Sequence, residues 1–250
     1  MGFPNIIFGA DGQQFAVDAD PAADQGSPSV GDQMIFDDGR KFRYSSAGAV
    51  AVVVGKLYQA PIPVPNHVLQ TAAAAAVGAT SVALTLGATA ATANQYHNGM
   101  LVVDLASNTG FGYGYGIGHH PAVASAGVFT VPLKSTVQVA IAATANSVSL
   151  VPNTHQGVIL AVATNPTARI AGVSVKPLPI GDFGWIQTRG PCMCLGTGTL
   201  VIGTTVIPSS TTGAVIAQVT AVSLTVPQVG VVIRVATTTD YSTIYLEIDG

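Results

Sequence analysis

Short runs of alternating apolar and polar residues recur along this chain, and turn formers cut almost every one before it reaches the length of a stable helix. Ser81 to Leu86, Met100 to Leu105, Val128 to Leu133, Val137 to Ala142, Ser147 to Val151 and Gly157 to Val162 follow one another with Gly, Asn or Pro between them. The same pattern returns at Ile170 to Val175, Phe183 to Thr188, Cys192 to Leu195, Leu200 to Ile207, Gly213 to Val219, Gly230 to Ala236 and Ser242 to Asp249. A repeat of two is the repeat of a strand, and many short strands with frequent turns build antiparallel sandwiches or barrels. The alanine-rich run Thr71 to Val77 fits a short helix or a strand. The fold class expected is all-β: an extended N-terminal arm followed by two antiparallel β-barrel or β-sandwich domains.

Two stretches carry unusual side chains. In Gly181 to Gly190, Phe183, Trp185 and Gln187 alternate with Gly184, Ile186 and Thr188, which places the only tryptophan on an aromatic strand face. Core packing is the expected use of such a face, because aromatic rings dominate cores; a surface anchor for a partner is the alternative. In Gly110 to Gly118 glycine takes every second position, so Phe111, Tyr113, Tyr115 and Ile117 line one face and the other is bare. A bare face implies the close approach of another backbone. The dinucleotide fingerprint G-x-G-x-x-G, which opens a helix, does not fit this strict alternation. Phe111, Tyr113, Tyr115 and Trp185 are therefore candidate interface aromatics. His119 and His120, being adjacent, point to opposite faces of a strand and do not chelate together.

Composition divides the chain. Residues 1–31 combine a short apolar patch, Phe3, Ile6, Ile7 and Phe8, with Asp11, Asp18, Asp20 and Asp24 among Gly, Ser, Pro and Gln. Such a segment orders only against another surface, and a neighbouring polypeptide is the expected one, with those four apolar residues as anchors. Residues 32–60 read as a hairpin turning at Asp37-Asp38-Gly39, then an apolar strand. Pro61, Pro63 and Pro65 make a stiff connector into an uncharged β-domain over 61–165, and a C-terminal barrel is expected over 166–250.

Charged residues are 8% of the chain, against about 25% in an ordinary domain. Mean hydropathy is +0.49 and the net charge is −3. A surface so poor in charge is expected to be covered by other subunits. Nine basic residues against twelve acidic ones leave no nucleic-acid footprint, and no apolar run approaches the ~20 residues of a spanning helix. No basic start precedes an apolar run in the first ten residues, so no signal peptide is expected and synthesis in a cytoplasm follows.

Reactive groups do not gather in the sequence. Glu247 and Asp249 share a strand face, but the closing strand of a sheet commonly carries such charges to discourage edge pairing. Cys192 and Cys194 are read as buried thiols, too close for an unstrained disulfide and without the further ligands that zinc requires. No catalytic residue, metal or cofactor is expected. A polysaccharide hydrolase would need two carboxylates facing a cleft, which this acid-poor chain hardly supplies.

Asp38-Gly-Arg-Lys-Phe-Arg-Tyr44, Gly55-Lys-Leu-Tyr-Gln-Ala-Pro61, Gly78-Ala-Thr-Ser-Val82, Ala93-Asn-Gln-Tyr96 before Gly99-Met-Leu-Val-Val103, and Gly184-Trp-Ile-Gln-Thr-Arg-Gly190 resemble segments of tailed-bacteriophage virion proteins, in particular the head-decoration or cement class. The resemblance runs through most of the chain after about residue 30. It implies β-domains assembled as a homotrimer on the outer capsid surface, bridging neighbouring major capsid protein subunits, often through an N-terminal arm. The charge balance and the lack of a spanning run leave no nucleic-acid or membrane partner expected, and production in the host cytoplasm is expected from the lack of a signal peptide. A host-recognition fibre or adhesin domain binding a cell-surface glycan through Tyr113, Tyr115 and Trp185 is the alternative.

Overall fold

The computed structural model describes residues 6–19, 28–104, 106, 109–162, 166–218, 226–236 and 240–249, without the side chains of 6 and 144–146. Phe3 lies outside them. The described residues are all-β, with two one-turn 3-10 helices at Gln13–Phe15 and Pro65–His67. None of their helices is long and apolar enough to cross a membrane.

The chain forms two compact units: unit 1 comprises 1–61 and 154–250, and unit 2 comprises 62–153. The division falls inside the proline-alternating segment. Residues 32–60 and 166–250, expected as separate pieces, belong to one unit, into which the uncharged unit is inserted. The reason is long-range pairing, which no local pattern announces.

Unit 1 begins with β1 (Ile6–Phe8), β2 (Val17–Asp18), β3 (Gln33–Ile35), β4 (Lys41–Ser46) and β5 (Leu57–Gln59). Unit 2 holds β6 (Gln70–Ala72), β7 (Ser81–Thr85), β8 (Met100–Val103), β9 (Gly114–Gly116), β10 (Val128–Pro132) and β11 (Thr144–Val151). Unit 1 resumes with β12 (Ile159–Leu160), β13 (Ile170–Ser174), β14 (Phe183–Thr197), β15 (Thr205–Pro208), β16 (Val215–Ala217), β17 (Gly230–Arg234) and β18 (Tyr241–Glu247).

Strand β14 is the beam of unit 1. Its first half pairs with β4 and β13, and its second half pairs with β18 and β16. With β15 and β17 the second half closes a five-stranded barrel filled by Cys192, Cys194, Val206, Val215, Val232, Ile244 and Leu246. The first half belongs to a curled sheet, buried on both faces. One face packs Trp185 with Phe42, Tyr44, Met34 and Phe36; the other packs Ile186 with Tyr58, Val158 and Leu178. The expected break at Gly190-Pro191 is a bend instead. Gly190 takes φ +86°, a conformation that costs other residues strain, and the register against β4 shifts between Gln187 and Arg189. Gln187 Nε2 donates to the carbonyls of Arg189 and Pro191, both at 2.9 Å, and so supports the bend. Pro191 itself points outward and is exposed.

Unit 2 is one antiparallel six-stranded sheet in the order β10-β7-β6-β11-β8-β9. The sheet curls until its edge strands meet: Gly118 N–H donates to Pro132 O and Lys134 N–H to Gly116 O, both at 2.8 Å. Thr71 to Val77 contains β6 and no helix. Of the expected strand Val137 to Ala142, only an isolated bridge at Ile141 forms. The core is aliphatic, from Leu84, Leu101, Ile117, Val131, Ile141 and Leu150, with Tyr96, Tyr115 and Phe129 as its rings.

Candidate functional site

The arm is where the structure departs most from expectation. Its described part is folded onto the chain's own sheet. Ile6–Phe8 pair in parallel with Gln33–Ile35, Asp18 accepts a hydrogen bond from Tyr44 Oη, and Gln14 is buried. Gly184 makes this possible. A Cβ there would meet Leu178 Cδ2 at 2.5 Å and the Ala16 carbonyl at 3.1 Å, so a side chain would lift the arm off β14. Residues 6–19 are therefore ordered by their own unit, and the expectation that a neighbour orders them is replaced for that part.

What the arm presents is an edge. β1 ends the sheet, beside β3 alone, and Phe8 is 80% exposed at its end; Phe15 is exposed on the following turn. Ile7 is half-buried against the cluster of Met34 and Trp185. Ile6 pairs with Gln33 through its backbone. Next to Phe8 lies an open cavity of about 340 Å³, lined by Gly9, Asp11, Phe36, Asp37, Asp38 and Arg40. Arg40 organises it. Its guanidinium reaches Asp11 and Asp38, both at 2.6 Å, and lies 4.7 Å from the centre of the Phe36 ring. The Arg40 N–H donated to Asp38 holds that carboxyl below its ordinary value, against the opposing effect of burial. Burial alone would lower the Arg40 pKa, and the two carboxylates raise it. An acidic rim with one clamped cation beside an exposed phenylalanine suits docking to an apolar, weakly basic surface.

The four candidate aromatics separate into two pairs. Phe111 and Tyr113 are 53% and 42% exposed, whereas Tyr115 and Trp185 are 2% and 5% exposed. The alternation of Gly110 to Gly118 holds from Tyr113 on, where the Tyr113 and Tyr115 rings stack with centroids 6.3 Å apart, but not at Phe111, because residues 110–113 form a turn in which Gly112 takes φ +80°. Tyr115 points inward and its hydroxyl accepts the Gln138 N–H at 3.2 Å. The glycine face is covered by side chains of unit 2: Met100 over Gly114, Lys134 over Gly116 and Pro132 over Gly118. Trp185 is a core residue, set edge-on to Tyr44 with centroids 5.1 Å apart.

One arrangement was not visible in the sequence. Ser45, His155 and Asp249 lie together, as a hydrolytic triad would. Ser45 Oγ is 3.1 Å from His155 Nδ1, but the serine is wholly buried and its hydroxyl donates to the Arg43 carbonyl. Burial holds His155 neutral, with its pKa lowered to about 4. Burial alone would raise Asp249; the bond from Arg43 Nε at 2.6 Å brings it below its ordinary value. These groups form a closed polar network that ties β4 to residues 155 and 249. Cys192 and Cys194 are buried free thiols; burial pushes Cys192 up to about 12 and Cys194 well above its ordinary value, away from the nucleophilic thiolate. Among the described residues, no three His, Cys, Asp or Glu side chains converge as metal ligands. No family model, curated protein or solved structure matches the chain.

Proposed function

We propose that this chain is a virion structural protein of the capsid-decorating class, which binds the outer surface of an assembled shell through major capsid protein subunits, as a homotrimer. One observation carries the reading. Unit 2 has only Asp104 and Lys134 as formal charges, yet it exposes Leu69, Val77, Met100, Phe111, Tyr113, Val128 and Val151. A surface with so little charge and so many uncovered apolar side chains is the kind that subunit contacts bury. The sequence resemblance supports the same class.

The mechanism is mass action. Contacts made only to the assembled shell stabilise it relative to free subunits, and an oligomer multiplies weak contacts. Because residues 6–19 lie on their own sheet, attachment is assigned to the β1 edge with Phe8 and Phe15, and to the exposed apolar residues of unit 2, with no free arm required. Heating shells with and without bound protein tests this. A higher temperature of genome release with the protein bound is expected, and Phe8→Ser should weaken attachment. Equal release temperatures would reject the reading.

A second reading has its own observation. Exposed Phe111 and Tyr113 on a glycine-bearing turn offer ring faces on which a sugar can stack, as a host-recognition module requires. Chemical-shift changes confined to 109–115 on adding cell-surface oligosaccharide, lost in Phe111→Ala, would favour it over decoration.

A further inference from the structure

Four of the five histidines, His67, His97, His119 and His120, lie in unit 2. Two of them, His67 and His120, are buried, and at His120 hydrogen bonds fix the protonation. His120 Nε2 accepts the Tyr96 backbone N–H at 3.0 Å, so that nitrogen carries no proton, and Nδ1 donates to the Pro121 carbonyl at 2.9 Å. His67 Nε2 lies 2.9 Å from the Thr89 carbonyl and donates to it, and its Nδ1 is hydrogen-bonded to Tyr96 Oη. Both rings therefore hold the same segment, and His120 does so only in its neutral form. That segment, 89–99, is held at its ends by a bridge of Ala91 to Val123 and by the bonds Asn98 N–H to Ile117 O and Ile117 N–H to Gly99 O, and in its middle by the two histidines. It contains no strand, and Asn94 and Asn98 both take left-handed backbone, at φ 58° and 59°. Asn94 is tied back to the second histidine, through its N–H to the His120 carbonyl and its Oδ1 from the His120 N–H, both at 3.0 Å.

We propose that His120 forms a proton-operated latch, which holds the 89–99 segment against the unit 2 sheet at neutral pH and releases it in mildly acidic solution. Protonating His120 places an N–H where the Tyr96 N–H already points, which abolishes one hydrogen bond and opposes two donors. The groups facing the latch do not offset this charge. Tyr96 lies between the two rings, Phe129 of β10 covers His120 at 4.7 Å, and His119 adjoins it with His97 stacked on it at 3.6 Å. Lys134, after β10, reaches the segment through Asn98. The single carboxylate of unit 2, Asp104, is bonded to Ser149 on β11. Asp104 and Lys134 cancel, so full protonation of four imidazoles takes unit 2 from a formal charge of 0 to +4.

Burial lowers the His120 pKa; the Pro121 carbonyl opposes this and His119 adds to it. A histidine lowered by folding stabilises the fold fully above its unfolded pKa, about 6.5, and loses that contribution as pH falls from there toward the folded value. Release therefore begins below about pH 6.5.

Amide exchange and imidazole nitrogen NMR on the full chain test the latch. At pH 7.5 the His120 Nε2 signal should be that of an unprotonated nitrogen. Between pH 7 and 5, protection at Ala91, Asn94, Tyr96 and Gly99, corrected for intrinsic exchange, should fall at least tenfold while β7 and β8 stay protected. His120→Gln keeps an acceptor near the Nε2 position and does not titrate, so its loss should be several-fold smaller. An undiminished loss in that variant, or no loss in the native chain, would overturn the proposal. If the variant does not fold, the native titration decides: segment opening must share its midpoint with His120 protonation, and opening without it rejects the latch.

Discussion

Units 1 and 2 are both curled β-structures, yet they hold their polar groups in opposite ways. Unit 1 contains all but one of the nine basic and all but one of the twelve acidic residues. It uses them as fixed ties: Arg43 to Asp249 fastens β4 to the residues after β18, and Arg40 clamps Asp11 and Asp38. Unit 2 ties its turns with histidine, tyrosine and asparagine, whose hydrogen bonds depend on neutral rings. Ion pairs of carboxylate and guanidinium persist over the whole range between the two pKa values, whereas neutral imidazole exists only on one side of a narrow one. The units should therefore respond differently to packing damage, acid and salt.

Packing should give the largest effects. Gly230 in β17 is the sharpest case in unit 1, since a Cβ there would sit 2.0 Å from the Tyr245 carbonyl oxygen of the paired strand. A closed barrel has no free edge along which either strand can retreat. Gly230→Ala should cost more than about 5 kcal/mol, measured by denaturant unfolding followed on Trp185. The matching test in unit 2 is Phe129→Ala. That ring is buried and lies against His120, so its loss should cost about 3–5 kcal/mol by cavity formation and should also loosen the latch at neutral pH. A Phe129→Ala variant whose 89–99 amides keep native protection would separate core from latch.

Acid sharpens the comparison, because unit 1 has one buried neutral histidine of its own. His155 is lowered to about 4 by burial, with Asp249 opposing and Arg43 and Arg169 adding. The sign follows from linkage: the unfolded chain binds the proton first, so the contribution is complete above about pH 6.5 and is lost as pH falls to about 4. That interval corresponds to about 3 kcal/mol. His155→Gln should flatten the acid limb of unit 1 stability by about that amount while leaving the exchange behaviour of 89–99 unchanged. If one substitution removed the acid response of both units, the distinction drawn between them would fail.

Much of the fold was legible because strand periodicity is a local property. The runs at 81–86, 100–105, 128–133 and 170–175 correspond to β7, β8, β10 and β13, and Trp185 lies in a core as its strand face implied. What was not legible depends on partners distant in the chain. Gly190-Pro191 reads locally as a stop, but pairing of residues 189–195 with 241–247 carries β14 through it. The union of residues 1–61 with 154–250 rests on pairs such as Trp185 with Tyr44, which no run of residues reveals. At the candidate site, the apolar patch with Phe8 was read as an anchor for a neighbouring polypeptide, and the support of its segment by β3 and β14 of the same unit was not legible. The alternation at 110–118 held for Tyr113 and Tyr115, whose rings stack, and misplaced Phe111 because a positive φ at Gly112 resets the side-chain direction. The opposite facing of His119 and His120 was expected, and His120 is buried while His119 is exposed. The acceptor role of His120, however, depends on a backbone N–H at Tyr96.

The smallest effect should come from the most conspicuous ion pairs. Arg40 bonds two carboxylates at short distance, but Asp11 is 82% exposed and Asp38 is exposed as well. Water and salt screen such pairs, and ordering three long side chains offsets most of what attraction remains, so Arg40→Met should cost less than about 1 kcal/mol. The methionine stem retains contact with Phe36, so what changes is charge. The Asp38 carboxyl should move back toward its ordinary value, though only partly, because the backbone N–H of residue 40, its largest lowering influence, survives the substitution. NMR titration of Asp38 in both proteins, at low and at 0.5 M salt, measures this directly. If Arg40→Met instead destabilised unit 1 by several kcal/mol at high salt, the arm would be held by this cluster rather than by the β1–β3 ladder, and the account of residues 6–19 as an edge strand with an incidental clamp would have to be reversed.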